Sequence, residues 1–305
     1  CNRWDYTMAI YELDIDGNLL WYDETGRFDD SGNIDCGSYS YTYGLVKGDN
    51  GYYVFGSTSS GDNVGYIIKY DLEGNQIWVE TLNYIGEYNR DDYVYDGLLS
   101  SNGNFVFVGN SQLSNSTTEA VMWILDSDGQ IINYFGYDGY NNSDELSGVI
   151  ETQDGNYAAV GRSYDGNTWH PLLIKFNEDG IIYSSLVSSE QNSFLNNIKN
   201  FSSLVEFNNG NLLYFGQNSS GYASLIMFNA DGEYISYSSD HNGFEISDGE
   251  SKFFDGIQTI DNKIILTGWA YNSFNYKDFC TVKLDQNMNF EWVHYYGEVF
   301  SGNDM

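Results

Sequence analysis

The sequence predicts an all-β chain assembled from four-stranded antiparallel units, on three observations. First, six segments align without a gap: Ile10 to Trp21 (IYELDIDGNLLW), Ile67 to Trp78 (IIKYDLEGNQIW), Met122 to Asn133, Leu173 to Ser184, Leu225 to Ser236 and Thr281 to Trp292. Their starts lie 51 to 57 residues apart. Each runs apolar, then Asp or Asn, then a short polar turn, then apolar again, the pattern of two strands joined by a tight hairpin. Second, another hairpin precedes five of the six, in Leu45 to Gly56, Leu98 to Gly109, Val149 to Gly161, Leu204 to Gly216 and Ile257 to Gly268. Third, no window carries a sustained i, i+3, i+4, i+7 apolar stripe, so helix is not expected.

The strand after each preceding turn is densely apolar: YYVFG, FVFVG, YAAVG, LLYFG and IILTG. Such runs imply strands buried on both faces, hence sheets stacked on sheets. Four strands per repeat with short connections then mean the radial blades of a β-propeller. A parallel β-solenoid has much shorter coils and lacks antiparallel hairpins. Length alone suggests two domains, but a repeat that accounts for nearly every residue overrides that prior. The expectation is one propeller domain over 1–305, with five complete repeats and one half-blade at six blade positions. The boundaries fall near 1–37 (half), 38–91, 92–144, 145–197, 198–250 and 251–305.

Small residues, Gly44, Gly97, Gly148, Ser203 and Gly256, begin the first strand of each full repeat, as crowding near a central axis requires. By the same phase, Gly56, Gly109, Gly161, Gly216 and Gly268 are expected at equivalent ends of second strands. The half-repeat at the N-terminus supplies only third and fourth strands, and 13 residues follow Trp292. Since unpaired edges pair promiscuously, the expectation is that the polypeptide continues past Met305 with a further hairpin, or that a neighbouring subunit donates one by self-assembly.

Composition restricts the partners. Twelve Lys and Arg against 44 Asp and Glu leave a net charge of −32. That field repels phosphate backbones and anionic membrane surfaces, which argues against nucleic acid as a partner. No stretch approaches the roughly 20 apolar residues of a membrane-spanning helix. Three cysteines, Cys1, Cys36 and Cys280, are too few and odd in number for a disulfide framework, and Cys280 sits in an apolar strand as an inert thiol. Cys1 has two readings: an arbitrary boundary, or the lipid-bearing first residue of a mature bacterial lipoprotein. The four sequons, at Asn115, Asn141, Asn200 and Asn218, would matter only in a eukaryotic secretory pathway.

The repeat also resembles the bacterial β-propeller repeat family of secreted and cell-surface proteins. Its pattern is an Asp-rich lead-in, an apolar strand, a DG turn, a strand ending TG or AG, then K-L-D-x-x-G and a closing Trp; Phe254 to Gly297 carries nearly all of it. The resemblance implies an extracellular or cell-surface location and a binding or scaffolding role. Departures are Glu12, Ile124 and Met227 in place of the third-strand Lys, and a closing Trp kept only at Trp21, Trp78 and Trp292. The WD doublet and the paired glycines of kelch are missing.

Catalytic and metal motifs were weighed against plainer roles. Asp14-Ile15-Asp16-Gly17-Asn18 and Asp126-Ser127-Asp128-Gly129 open like a calcium loop but lack its later oxygens and bidentate Glu, and the same residues suit a hairpin turn. No metal and no cofactor is expected. Ser163 to Trp169 resembles a sialidase Asp-box but is one residue short and follows the second strand. Four scattered arginines make no carboxylate clamp. His170, His241 and His294 form no ligand-spaced pair, and Gly161-Arg162-Ser163-Tyr164-Asp165 fails the nucleophile elbow. No catalytic residue is assigned.

One constellation points to binding. Tyr43, Asp96, Ser147, Ser202 and Asp255 precede the small residues, and one repeat position becomes a ring of hydroxyls and carboxylates able to hold a sugar or hydrated cation, or else only strand caps and water. Twenty-eight tyrosines beside abundant Asn, Ser and Gly suit adaptable recognition, although Tyr is also a good strand former. The function expected is a non-enzymatic extracellular or surface-anchored propeller binding glycan or protein through rim loops. The alternatives are a glycan-active hydrolase or lyase using channel-mouth carboxylates, and a structural subunit of an extracellular assembly.

Overall fold

The computed structural model describes residues 9–23, 39–59, 63–82, 91–112, 117–140, 142–186, 198–272 and 276–296. Cys1 lies outside them. All regular structure in the described residues is β-strand, and the predicted fold class, a β-propeller of four-stranded antiparallel blades, is the one observed. The chain falls into two compact units, 1–138 and 139–305.

The first unit holds a hairpin and two blades. The hairpin is β1 (Ile10–Leu13) with β2 (Leu19–Asp23), and among the described residues it pairs with no other strand. The next blade is β3 (Tyr39–Gly48), β4 (Gly51–Ser59), β5 (Asn63–Tyr70) and β6 (Gln76–Leu82), in that order. The following one is β7 (Asp92–Leu99), β8 (Phe105–Gln112), β9 (Thr118–Leu125) and β10 (Ile131–Tyr137). Their apolar faces interleave: Tyr53, Phe55, Ile67, Phe107, Val121 and Trp123 form one core.

The second unit holds three blades. The first is β11 (Ser143–Glu151), β12 (Tyr157–Tyr164), β13 (Trp169–Asn177) and β14 (Gly180–Leu186). The second is β15 (Ile198–Glu206), β16 (Leu212–Asn218), β17 (Ala223–Phe228) and β18 (Tyr234–Asp240), extended by the short parallel strand β19 (Gly243–Phe244). The third is β20 (Ser251–Gln258), β21 (Ile264–Tyr271), β22 (Lys277–Leu284) and β23 (Phe290–Tyr296). First strands of successive blades lie against one another, β3 on β7 in the first unit and β11 on β15 on β20 in the second.

The turn between third and fourth strands is built the same way except in the tighter β13–β14 hairpin, where Asn177 Oδ1 accepts from Asp179 N and Gly180 N. The carboxylate of Asp14 accepts the N–H groups of Asp16 (2.9 Å) and Asn18 (2.8 Å), as do Asp71, Asp126, Asn229 and Asp285 at their own turns. The first acid of each calcium-like turn, Asp14 and Asp126, therefore gives its Oδ1 to two backbone donors. The fourth turn residue is left-handed, Gly17 at φ 83°; Met288 takes φ 63° where its repeat lacks the glycine.

That turn is also where blades lock together. The ring of Trp21 lies on Gly74, Trp78 on Gly129 and Tyr183 on Gly232, so closely that a Cβ at the glycine would overlap the ring. Tyr183, which the ungapped alignment leaves beside Ser184, fills the closing position because the β13–β14 hairpin is one residue tighter and pairs Tyr183 with Lys175. The third-strand lysine reaches back to the first turn of its own blade, Lys283 Nζ bonding Asp261 Oδ2 at 2.8 Å.

The glycines Gly56, Gly109, Gly161, Gly216 and Gly268 do occupy equivalent places, although within second strands and not at their ends. Opposite each, the first strand carries one extra residue, a β-bulge. A Cβ on Gly56, Gly109, Gly161 or Gly268 would run into the bulged strand's carbonyl. One expectation needs correcting. Four second strands are buried on both faces, but β21 is partly open on one face, where Thr267 is exposed and Trp269 alone is buried.

Candidate functional site

The bulge defines which first-strand residues are equivalent. They are Tyr43, Tyr95, Ser147, Ser202 and Phe254. Three of the expected residues, Tyr43, Ser147 and Ser202, stand there; Asp96 and Asp255 stand one residue further on. The reason is that Gly97 and Gly256 pair two residues before the second-strand glycine, while Gly44, Gly148 and Ser203 pair one before it. Smallness alone does not set the register.

In the first unit this position gathers aromatic rings. Tyr43 and Tyr95 meet edge to face with centroids 5.5 Å apart, and Tyr95 stacks on Tyr93 at 5.9 Å with the planes 6° apart. Tyr41 is 52% exposed and Tyr43 43%, while Tyr93, Tyr95 and Asp96 are half-buried. Burial, then the Asp91 carboxylate and the phenols of Tyr43 and Tyr41, push the Tyr93 phenol up; burial, then Tyr41, does the same to Tyr43. The bulge makes the platform: it inserts Tyr43 and Tyr95 as extra residues within their first strands, shifting the pairing register by one.

The second unit uses the position differently. Ser202 Oγ donates to the Phe253 carbonyl at 2.9 Å, tying β15 to β20. Ser147 Oγ lies 3.4 Å from the Val160 carbonyl of its own sheet. Phe254 is 42% exposed with Lys252 Nζ 5.0 Å from its ring centre, and Asp255 is exposed.

A second feature of that unit carried no sequence motif. Residues 241–250 form a loop anchored by the fully buried Asp240, whose carboxylate accepts from Ile246 N (2.9 Å), Ser247 Oγ (2.5 Å) and Ser251 Oγ (2.5 Å). The loop walls a cavity of about 400 Å³ lined by Glu245, Asp248, Tyr271, Asn272, Asp278 and Tyr295 among others. Tyr295 donates to the Ile246 carbonyl at 2.7 Å. Burial, then Cys280, Asp240 and Asp248, push its phenol up to about 12.

The Asp-box-like segment is a loop turn. Asp165 accepts from Asn167 N (2.8 Å) and Thr168 N (2.7 Å), and its Oδ2 lies 2.9 Å from His170 Nε2. His170, then these amides, lower its carboxyl to about 2. Ser163 stands opposite His170 in register. No sequence spacing signals this pairing, yet it makes no nucleophile: Ser163 is fully buried and its hydroxyl bonds to none of the described residues.

No protein-family model matches the chain, and no curated protein does either. Solved structures do match. A protein of unknown function from Bacteroides caccae is 10% identical, with a TM-score of 0.54 over 96% of this chain and 91% of that one. One from Dyadobacter fermentans, also of unknown function, is 10% identical with a TM-score of 0.56, over 87% and 85%. The Hadza microbial sialidase Hz136 is 11% identical with a TM-score of 0.52, over 84% and 58%. Likenesses this remote are of fold, so the resemblance to propeller repeats holds at the level of fold.

Proposed function

We propose that the chain is a non-enzymatic binding propeller working outside the cell or at its surface, and that its ligand is a glycan taken on the first strands of the first unit. The observation that carries this is the tyrosine cluster Tyr41, Tyr43, Tyr93 and Tyr95, raised by two bulges and bordered by Asp96. Rings offer apolar faces for sugar C–H groups while their hydroxyls and a carboxylate accept or donate to sugar hydroxyls. A fold neighbour bears a glycan-directed name, sialidase. In the second unit the same repeat position carries Ser147, Ser202 and the Phe254 ring, with Asp255 one residue further on. The test is a glycan array followed by calorimetry on the hits. Replacing Tyr43 and Tyr95 together by Ala should weaken binding roughly tenfold or more, the worth of two aromatic contacts. Unchanged affinity in that variant refutes the assignment.

A second reading, a glycan-active hydrolase or lyase, has its own observation in the cavity lined by Glu245, Asp248 and Asp278. Carboxylates flanking a sugar-sized space are the parts such chemistry uses. Release of reducing ends from a polysaccharide panel, lost in Asp248→Asn or Asp278→Asn, would favour it over binding alone.

A further inference from the structure

A smaller cavity of the second unit sits between the β16–β17 turn and the end of β18. It encloses about 200 Å³ and is lined by Ser220, Tyr222, Tyr237, His241 and Asn242 among others. Its frame is held by bonds within the protein. Asn218 Oδ1 accepts from Ser220 N and Tyr222 N, both at 3.0 Å, and Asn218 Nδ2 donates to the Tyr237 hydroxyl at 3.1 Å. The Gly221 carbonyl accepts from Ser251 N at 2.9 Å, which fixes the turn to the start of β20. On the other wall, Ser239 and Asn242 exchange backbone bonds of 2.9 and 2.8 Å, and His241 N donates to the Phe244 carbonyl at 2.9 Å. Asp240, between them, gives its carboxylate to the loop that it anchors.

The mouth of the cavity differs from its frame. His241 holds φ 63°, a left-handed backbone that glycine adopts freely and histidine only against steric resistance. Its imidazole meets the Tyr222 ring edge to face, with centroids 4.8 Å apart. Ser220, His241 and Asn242 are exposed, and among the described residues no hydrogen bond holds their side chains or the Tyr222 hydroxyl. Two rings and four uncommitted polar groups at the mouth of a fixed cavity are the parts that recognise a polyol. The rings take its C–H groups, and the hydroxyls, amide and imidazole take its hydroxyls. The volume lies below the roughly 300–1,000 Å³ of pockets for drug-sized ligands, so the space suits one sugar ring and not a chain. The net charge of −32 opposes an anionic sugar. We infer that this cavity binds one neutral monosaccharide unit, with Tyr222 and His241 as its ring contacts. The site draws nothing from the tyrosine cluster of the first unit, and either can fail without the other.

The full chain is titrated with methyl glucoside, methyl galactoside, methyl xyloside and, as an anionic counterpart, methyl glucuronide, while the histidine ring signals are followed by NMR. The chain has three histidines, His170, His241 and His294, and His241→Gly identifies the signal of its own site by removing it. At least one neutral glycoside should move the His241 signal saturably and leave those of His170 and His294 in place, with methyl glucuronide binding more weakly. Calorimetry with that glycoside should show affinity lowered roughly tenfold or more in His241→Gly, whose glycine suits the left-handed backbone, with the urea midpoint unchanged or raised. Asn242→Ala, at an exposed side chain, should lower affinity roughly two- to fivefold. Replacing Tyr43 and Tyr95 together by Ala should leave the titration as it is. A His241 signal that no neutral glycoside moves, unchanged affinity in both His241→Gly and Asn242→Ala, or loss of binding in the double tyrosine variant overturns the site. Methyl glucuronide bound as tightly as the neutral glycosides overturns the ligand class.

Discussion

Gly148 offers a measurable test of how closely the first strands approach. A Cβ built there would lie 2.8 Å from Ser203 Cα, 3.1 Å from the Ser202 carbonyl oxygen and 3.2 Å from Ser203 Oγ. The two nearest are backbone atoms of β15, itself tied to β20 through Ser202, so the obstruction cannot rotate away. A comfortable carbon–carbon separation needs the strands to part by about 1 Å, and overpacking of this kind costs about 1–3 kcal/mol. Removing a strand glycine returns about 0.5–1 kcal/mol through the unfolded chain. Gly148→Ala should therefore destabilise by about 1–2 kcal/mol net, and Gly148→Leu by more, since three further carbons face the same wall. The control is Gly17→Ala, where nothing lies within 4 Å and only the φ of 83° opposes a side chain; its cost is about 1–2 kcal/mol at most. Urea unfolding followed by tryptophan fluorescence reads both, with the transition midpoint compared at constant slope. Gly148→Leu within about 0.5 kcal/mol of the parent, or milder than Gly17→Ala, would refute close packing of β11 on β15.

Three more outcomes follow from the same coordinates. Asp240→Ala should cost roughly 3 kcal/mol or more by stranding three donors in the interior, and should speed proteolytic cleavage within 241–250, whereas Asp248→Asn should leave cleavage unchanged. The Asp261 carboxyl is lowered from 3.8 to about 2, first by Lys283 and then by Thr259; a depressed folded value means its stabilisation is present above pH 4 and lost as pH falls through 2. Carboxyl NMR titration should find Asp261 raised toward 3.8 in Lys283→Met, with the Thr259 bond still holding it below that value, and an unmoved titration would contradict the pairing. Cys280 is fully buried and its thiol is pushed up to about 12 by burial, then by Asp240, so mass-mapped alkylation at pH 8 should label it only after denaturant is added.

Much of the fold was legible because its determinants are local. Asp14, Asp71 and Asp285 announce their turns by binding amides two and four residues on, and a sequence shows such spacing directly. The bulges were less legible. Gly44 and Gly97 look alike as letters, but their partners Phe55 and Phe107 sit at different distances from Gly56 and Gly109, a difference that exists only across strands. For that reason Tyr95 and Phe254 stand where the sequence alone points to Asp96 and Asp255. The cavity was not legible at all: Asp240 is one acid among 44, and only its burial and its three donors distinguish it.

The rings that sit on the next blade's turn bear on synthesis at the ribosome. Trp21 finds its seat only when Gly74 has emerged, Trp78 waits for Gly129 and Tyr183 for Gly232, each about fifty residues later. At translation rates of about 5–20 residues per second, each such ring stays uncovered for about 3–10 s after its own hairpin has formed. That interval is long compared with the microseconds a hairpin needs to form. While residues 21–74, 78–129 and 183–232 are being made, a nascent chain of this protein thus carries one freshly made aromatic face awaiting a glycine not yet translated, and that face is what a ribosome-associated chaperone would meet.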